Sequence, residues 1–226
     1  MTKTVIFAAG LAVASSASAD LTGATHSNLL DPSMYTITAR DINGPAIGEI
    51  PADHYSNMDA GPNGFVAFPA AGGAIGADDY SSVAGNDIDL AEFGFVGGVD
   101  TSGGVAFFEF FDASSNFVDS FGVAFAGAGN FIYTITINSF PGGVTVPENG
   151  IVQMVVDDAG AFGPATLGQF FLGDAGPTIG SEDVNFLGGN DGQFSHNFRI
   201  NGEPIPAPAS MALLGLGGLA AARRRR

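Results

Sequence analysis

The chain has 226 residues, no cysteine and no tryptophan, and 46% of it is hydrophobic. Without cysteine no disulfide can brace the fold, so stability must come from an apolar core, and the length between the two ends suits one domain. The formal net charge of −16 understates how acidic the middle is: with Lys3 and Arg223–Arg226 at the ends, Arg40 and Arg199 face all 23 acids, a formal charge of −21 that excludes nucleic acid and anionic lipid as partners of that region.

At the start, Lys3 supplies a basic residue, Val5 to Ala14 an apolar run, and Ala17-Ser18-Ala19 a small-residue cleavage site before Asp20. That order predicts a secretory signal helix over residues 1–19, taken up by the Sec translocon and removed by signal peptidase next to Ala17 and Ala19. The body of the protein then runs over residues 20–204.

Within the body, short β-rich runs alternate with glycine-rich turns. Met34 to Ala39 alternates, Gly64 to Phe68 is a brief second run, and Ile88 to Val96 leads into a Gly-Gly turn. Val105 to Phe111 reads VAFFEFF, with phenylalanine on both faces, as expected of a strand covered on both sides. Asp112 to Asn116 reads as a turn before the run Phe117 to Phe125. The clearest strand is Phe131 to Ile137, where Phe131, Tyr133, Ile135 and Ile137 share a face opposite Thr134 and Thr136. Ile151 to Val156, Thr166 to Leu172 and Gln193 to Ile200 continue the pattern. No sustained helical period appears before the tail. The fold class expected is therefore all-β, an antiparallel β-sandwich of jelly-roll kind with an N-terminal signal helix and a C-terminal apolar helix, and a barrel or solenoid is the alternative.

Three features of the body bear on chemistry. Glu109 falls on the same strand face as Phe107 and Phe111, so it is either a general acid in a cleft or a carboxylate satisfied by Arg40, by Arg199 or by water at a sheet edge. His26, His54 and His196 are the three histidines. Ser195 and His196 are neighbours on a strand and point to opposite faces, so they are badly placed for joint nucleophilic catalysis. Acids collect at Asp78-Asp79, at Asp87, Asp89 and Glu92, at Asp157-Asp158 and at Glu182-Asp183, read as soluble turns. Among them Asn86, Asp87 and Asp89 form the best candidate calcium site, because calcium takes oxygen ligands from loops.

The tail, residues 205–226, has three parts in order. A Pro/Ala hinge contains Pro206, Ala207 and Pro208; an apolar run spans Met211 to Ala222; and Arg223, Arg224, Arg225 and Arg226 end the chain. As a helix the apolar run would cover about 18 Å against about 30 Å of hydrocarbon, a marginal span whose arginines hold the end on the cytoplasmic side. In this order and spacing the tail resembles a PEP-CTERM sorting signal, found on exported proteins of Gram-negative-type bacteria that make extracellular polymer and carry an exosortase. Pro206, Ala207 and Pro208 match its Pro-Glu-Pro motif, with alanine in place of glutamate. The resemblance implies transient insertion in the inner membrane and processing by an exosortase-like enzyme near the motif. The function expected is an exported, non-catalytic cell-surface or extracellular-matrix protein without a required cofactor. A carbohydrate-binding sandwich meeting extracellular polysaccharide, with calcium as an aid, is the alternative, and a secreted hydrolase the third reading.

Overall fold

The computed structural model describes residues 28–41, 54–58, 66–69, 75–99, 105–125, 127, 129–156, 167–173, 177–183 and 195–206. The signal helix expected over 1–19, His26, Asp157-Asp158 and the tail beyond Pro206 lie outside these residues. Among the described residues the strands are β1 (Tyr35–Asp41), β2 (Tyr55–Ser56), β3 (Val66–Pro69), β4 (Ile75–Ser81), β5 (Ile88–Val99), β6 (Val105–Asp112), β7 (Phe117–Ala124), β8 (Gly129–Ile137), β9 (Thr145–Val146), β10 (Asn149–Val156), β11 (Leu167–Gly173), β12 (Ser195–His196) and β13 (Phe198–Pro204).

They form two antiparallel sheets packed as a sandwich. The smaller has four strands in the order β4-β10-β6-β7. The larger runs β1-β8-β5 and then divides, because the long β5 pairs with β13 along Ile88 to Phe95 and with β11 along Gly97 to Val99. β2 extends the larger sheet beyond β13.

Alternation explains the core. Ala106, Phe108 and Phe110 of β6 point between the sheets and meet Phe93 and Phe95 of β5, with Phe108 4.8 Å and 5.0 Å from those rings. Tyr133 and Ile135 of β8 face the same core, with Phe131 and Ile137 packed at its margin, as the alternation of that run predicts. Val105, Phe107, Glu109 and Phe111 take the opposite face of β6 and are buried too, so β6 is covered on both sides. Burying side chains of this size is the main stabilising term of such a fold, at about 1.5 to 3 kcal/mol each.

The turn after β6 also follows the sequence. The Asp112 carboxylate accepts the N–H groups of Ser114 and Asn116 and the Asn116 amide, closing an Asx-type turn in which Ser115 adopts φ 63°. One strand departs from expectation: Asp78 and Asp79 are not in a turn but on β4. Among the residues of β4 whose burial is described, Tyr80 alone is a large apolar side chain in the core, so hydrophobic periodicity had little to report there.

Both open sides of the sandwich are tied by chain that crosses from one sheet to the other. On one side Gly122 of β7 donates to the Asn28 carbonyl and receives the Leu30 N–H, and the chain then enters β1, where Tyr35 Oη meets the Ala124 backbone. On the other side residues 177–183 bridge Ser56 of β2 and Ser81 of β4.

Candidate functional site

β13 leads to the tail. Its first residues, Phe198, Arg199 and Ile200, are buried between β5 and β2, whereas Glu203 and Pro204 are exposed. The Ile205 N–H donates to the Asp87 carbonyl at 2.6 Å, and Pro206 follows at the surface. A proline there has no N–H to extend the ladder, so pairing with the body stops where the hinge begins. The folded body and the hinge therefore meet without a spacer. Ala207, Pro208 and Arg223 to Arg226 lie outside the described residues, as do Ala17 and Ala19.

The candidate calcium residues sit at this exit. Asp87 is exposed and its carboxylate accepts the Glu148 N–H at 3.0 Å, joining the turn before β5 to that before β10. Asp89 is an exposed residue of β5 opposite Glu203, and Asn86 is half-buried in the preceding turn. Among the described residues no three or more His, Asp or Glu side chains stand together as ligands for a metal ion.

A second polar assembly closes the β2/β4 side of the sandwich. Asp78 of β4, 1% exposed, accepts the His196 N–H at 2.7 Å on one oxygen and the Asp79 N–H at 3.0 Å on the other. Glu182 accepts the Tyr55 hydroxyl at 2.6 Å and the Asn57 amide at 3.1 Å on a single oxygen. Asn57 also donates to the His196 carbonyl and accepts the Phe198 N–H, so it links β12 and β13 to the same junction. Burial pushes the Asp78 carboxyl well above the usual carboxylate range, the charge of Glu182 adds to this, and the His196 N–H partly offsets it. Burial also pushes the His196 imidazole down to about 4, so it is neutral near pH 7. The two acidic pairs noted in the sequence thus meet in space, while Tyr55 and Asn57 gave no local signal of belonging with them.

The other singled-out residues have structural partners. Glu109 is fully buried and accepts the side-chain amide of Gln153, its register neighbour on β10, at 2.9 Å. It is paired in that hydrogen bond with an amide rather than with Arg40 or Arg199. Arg199 instead reaches Glu92 at 2.7 Å and Thr134 at 3.0 Å. The His54 ring lies 2.9 Å from the Gly202 carbonyl, to which Nε2 donates. Tyr35, Tyr55, Tyr80 and Tyr133, all the tyrosines of the chain, are buried.

Comparison with known families decides what the segment after β13 is. Residues 204–226 match the PEP-CTERM protein-sorting motif. The PEP-CTERM match begins at Pro204, the last residue of β13, and implies an exported protein processed by an exosortase. It spans Pro206, Ala207, Pro208 and the four arginines that the sequence marked out. No curated protein and no solved structure matches the chain. The PEP-CTERM match thus covers the tail, and the sandwich lies before it.

Proposed function

We propose that the protein is a non-catalytic component of the cell surface or extracellular matrix. A signal helix delivers it through the Sec translocon, signal peptidase releases it before Asp20, and the PEP-CTERM tail holds it briefly in the inner membrane until an exosortase cuts near Pro206–Pro208. The observation that carries this reading is the coincidence of the motif's start with the end of β13, the last strand among the described residues, so that the described strands precede the motif. Two further observations support a non-catalytic body. All four tyrosines lie in the core, where none can offer a ring face to a sugar. His196 is buried with its basicity suppressed, a poor general base near neutral pH.

The test is a variant with serine at Arg223 to Arg226. An apolar run of about 18 Å is too short to anchor securely, so the arginines supply the stop, each resisting transfer by about 2.5 to 3.5 kcal/mol at the bilayer centre. The variant should pass the inner membrane without retention while its sandwich still folds. Inner-membrane retention as strong as the parent's would refute the assignment of the stop to the arginines.

A further inference from the structure

Residues 177–183 touch both sheets through main-chain hydrogen bonds. The Ser56 N–H donates to the Ile179 carbonyl at 3.0 Å and the Ser56 carbonyl receives the Thr178 N–H at 2.8 Å. Two residues on, Ser181 exchanges both main-chain bonds with Ser81, at 2.7 Å and 3.0 Å. Gly180 lies between these two bridges with φ +84°, and a Cβ there would strike the Ser81 carbonyl and the Tyr55 ring, so the segment can follow this path only with glycine at that point. The same seven residues carry Glu182 and Asp183, and they lie on the strand that carries Asp78 and Asp79. The Asp183 N–H donates to Asp79 Oδ2 at 2.9 Å, and Glu182 is held by Tyr55 and Asn57.

We propose that residues 177–183 are a proton-controlled strap, closed across the β2 and β4 edges while the junction carboxyls carry a proton and released as they ionise. Two acidic pairs meet at the join between the two sheets, Glu182 beside Asp78 and Asp183 beside Asp79. Asp78 is the buried one. It is faced by Glu182 from the strap, by Asp79 on its own strand, by the Tyr55 hydroxyl of β2 and by the His196 N–H from β12, while Asp183 of the strap bears on Asp79. The charges acting on it, Glu182 and Asp79, are of its own sign. Arg199 engages Glu92 and Thr134, and Arg40 belongs to β1. The His196 ring is neutral above about pH 4 and supplies no cation over the relevant range. A protonated Asp78 is compatible with Glu182 beside it, whereas an ionised one places a second negative charge in a site shielded from water.

The direction follows from linkage. The Asp78 carboxyl is raised in the closed state and ordinary once the strap is open and the site is wet. Closure is therefore fully favoured below the ordinary carboxylate range and weakens as pH rises through the raised value. In that window each pH unit multiplies the opening equilibrium by up to about tenfold.

Amide hydrogen exchange on the full chain, corrected for intrinsic rates, reads this at the Ser81 and Ser181 N–H groups. From pH 4 to pH 8 their protection should fall about tenfold or more, while the Ile135 and Phe108 amides in the core keep theirs. Glu182→Gln preserves the one oxygen that accepts from both Tyr55 and Asn57 and removes the charge facing Asp78, so protection at pH 8 should rise severalfold and the fall should shrink. Asp78→Asn, the second variant, should flatten the profile. Flat protection in the parent, an equal fall at the core amides, or a full fall retained in both variants overturns the proposal.

Discussion

Gly94→Ala tests whether the outer face of the larger sheet is held by an arginine lying over a glycine. Gly94 is the register neighbour of Arg199 on β13 and of Thr134 on β8. A Cβ at Gly94 would lie 2.5 Å from Arg199 Nε, 2.7 Å from Cγ and 3.0 Å from Cδ, all closer than van der Waals contact allows. The side chain must then lift off the strand and give up Glu92 at 2.7 Å and Thr134 at 3.0 Å. Breaking a fully buried pair costs about 3 to 5 kcal/mol, but an exposed pair contributes about 0 to 1 kcal/mol. Arg199 is 4% exposed and Glu92 26%, so the loss falls between these limits, at about 2 to 3 kcal/mol. Replacing glycine in a strand returns about 0.5 to 1 kcal/mol of backbone entropy. The net cost of about 2 kcal/mol should lower the urea midpoint and shift Tm down by about 4 to 8 °C for a body of this size. The decisive measurement is the same substitution in an Arg199→Ala background, where the obstructing side chain is gone. There Gly94→Ala should be neutral or stabilise by up to about 1 kcal/mol. An equal loss in both backgrounds would refute the reasoning, because the effect would then come from the backbone and not from the arginine.

Two other predictions concern protons and cations. His196 is held neutral in the core with its pKa lowered to about 4, so the folded state loses stability as pH falls from about 6.5 toward that value, when the unfolded chain takes up a proton and the folded one does not. Between pH 7 and pH 4 the parent should lose about 2 to 3 kcal/mol more than His196→Gln in urea unfolding, and parallel pH profiles would show the ring to be accessible. Millimolar calcium and magnesium should raise Tm alike by screening the acidic body, since Asp87 is already engaged with the Glu148 N–H and Asp89 faces Glu203. A larger shift with calcium would establish ion binding at Asn86, Asp87 and Asp89.

Much of the candidate site was legible only in pieces. The order of hinge, apolar run and arginines needs no tertiary information, because each part acts through its own composition. That β13 ends where the hinge begins was not legible from Gln193 to Ile200, whose alternation stops before Asn201, although the strand itself continues to Pro204 along β5. The junction at β4 was hidden for a different reason. Asp78-Asp79 and Glu182-Asp183 resemble any soluble acidic turn until the strap lays one pair against the other.

What the sequence by itself determined is what a window of a few residues can carry. Alternation in Phe131 to Ile137 chose the buried face of β8, phenylalanine on both faces of Val105 to Phe111 required a covered strand, and Asp112 to Asn116 contained its own turn chemistry. Partner choice is a property of sheet order, and only the tertiary structure decided it. Glu109 meets Gln153 across 44 residues, Asp78 meets His196 across 118 and Tyr55 meets Glu182 across 127. Many partners satisfy a buried carboxylate equally well in chemical terms. Which one is within reach depends on how the two sheets pack, because that packing carries most of the stabilising burial and the polar groups must find partners within it.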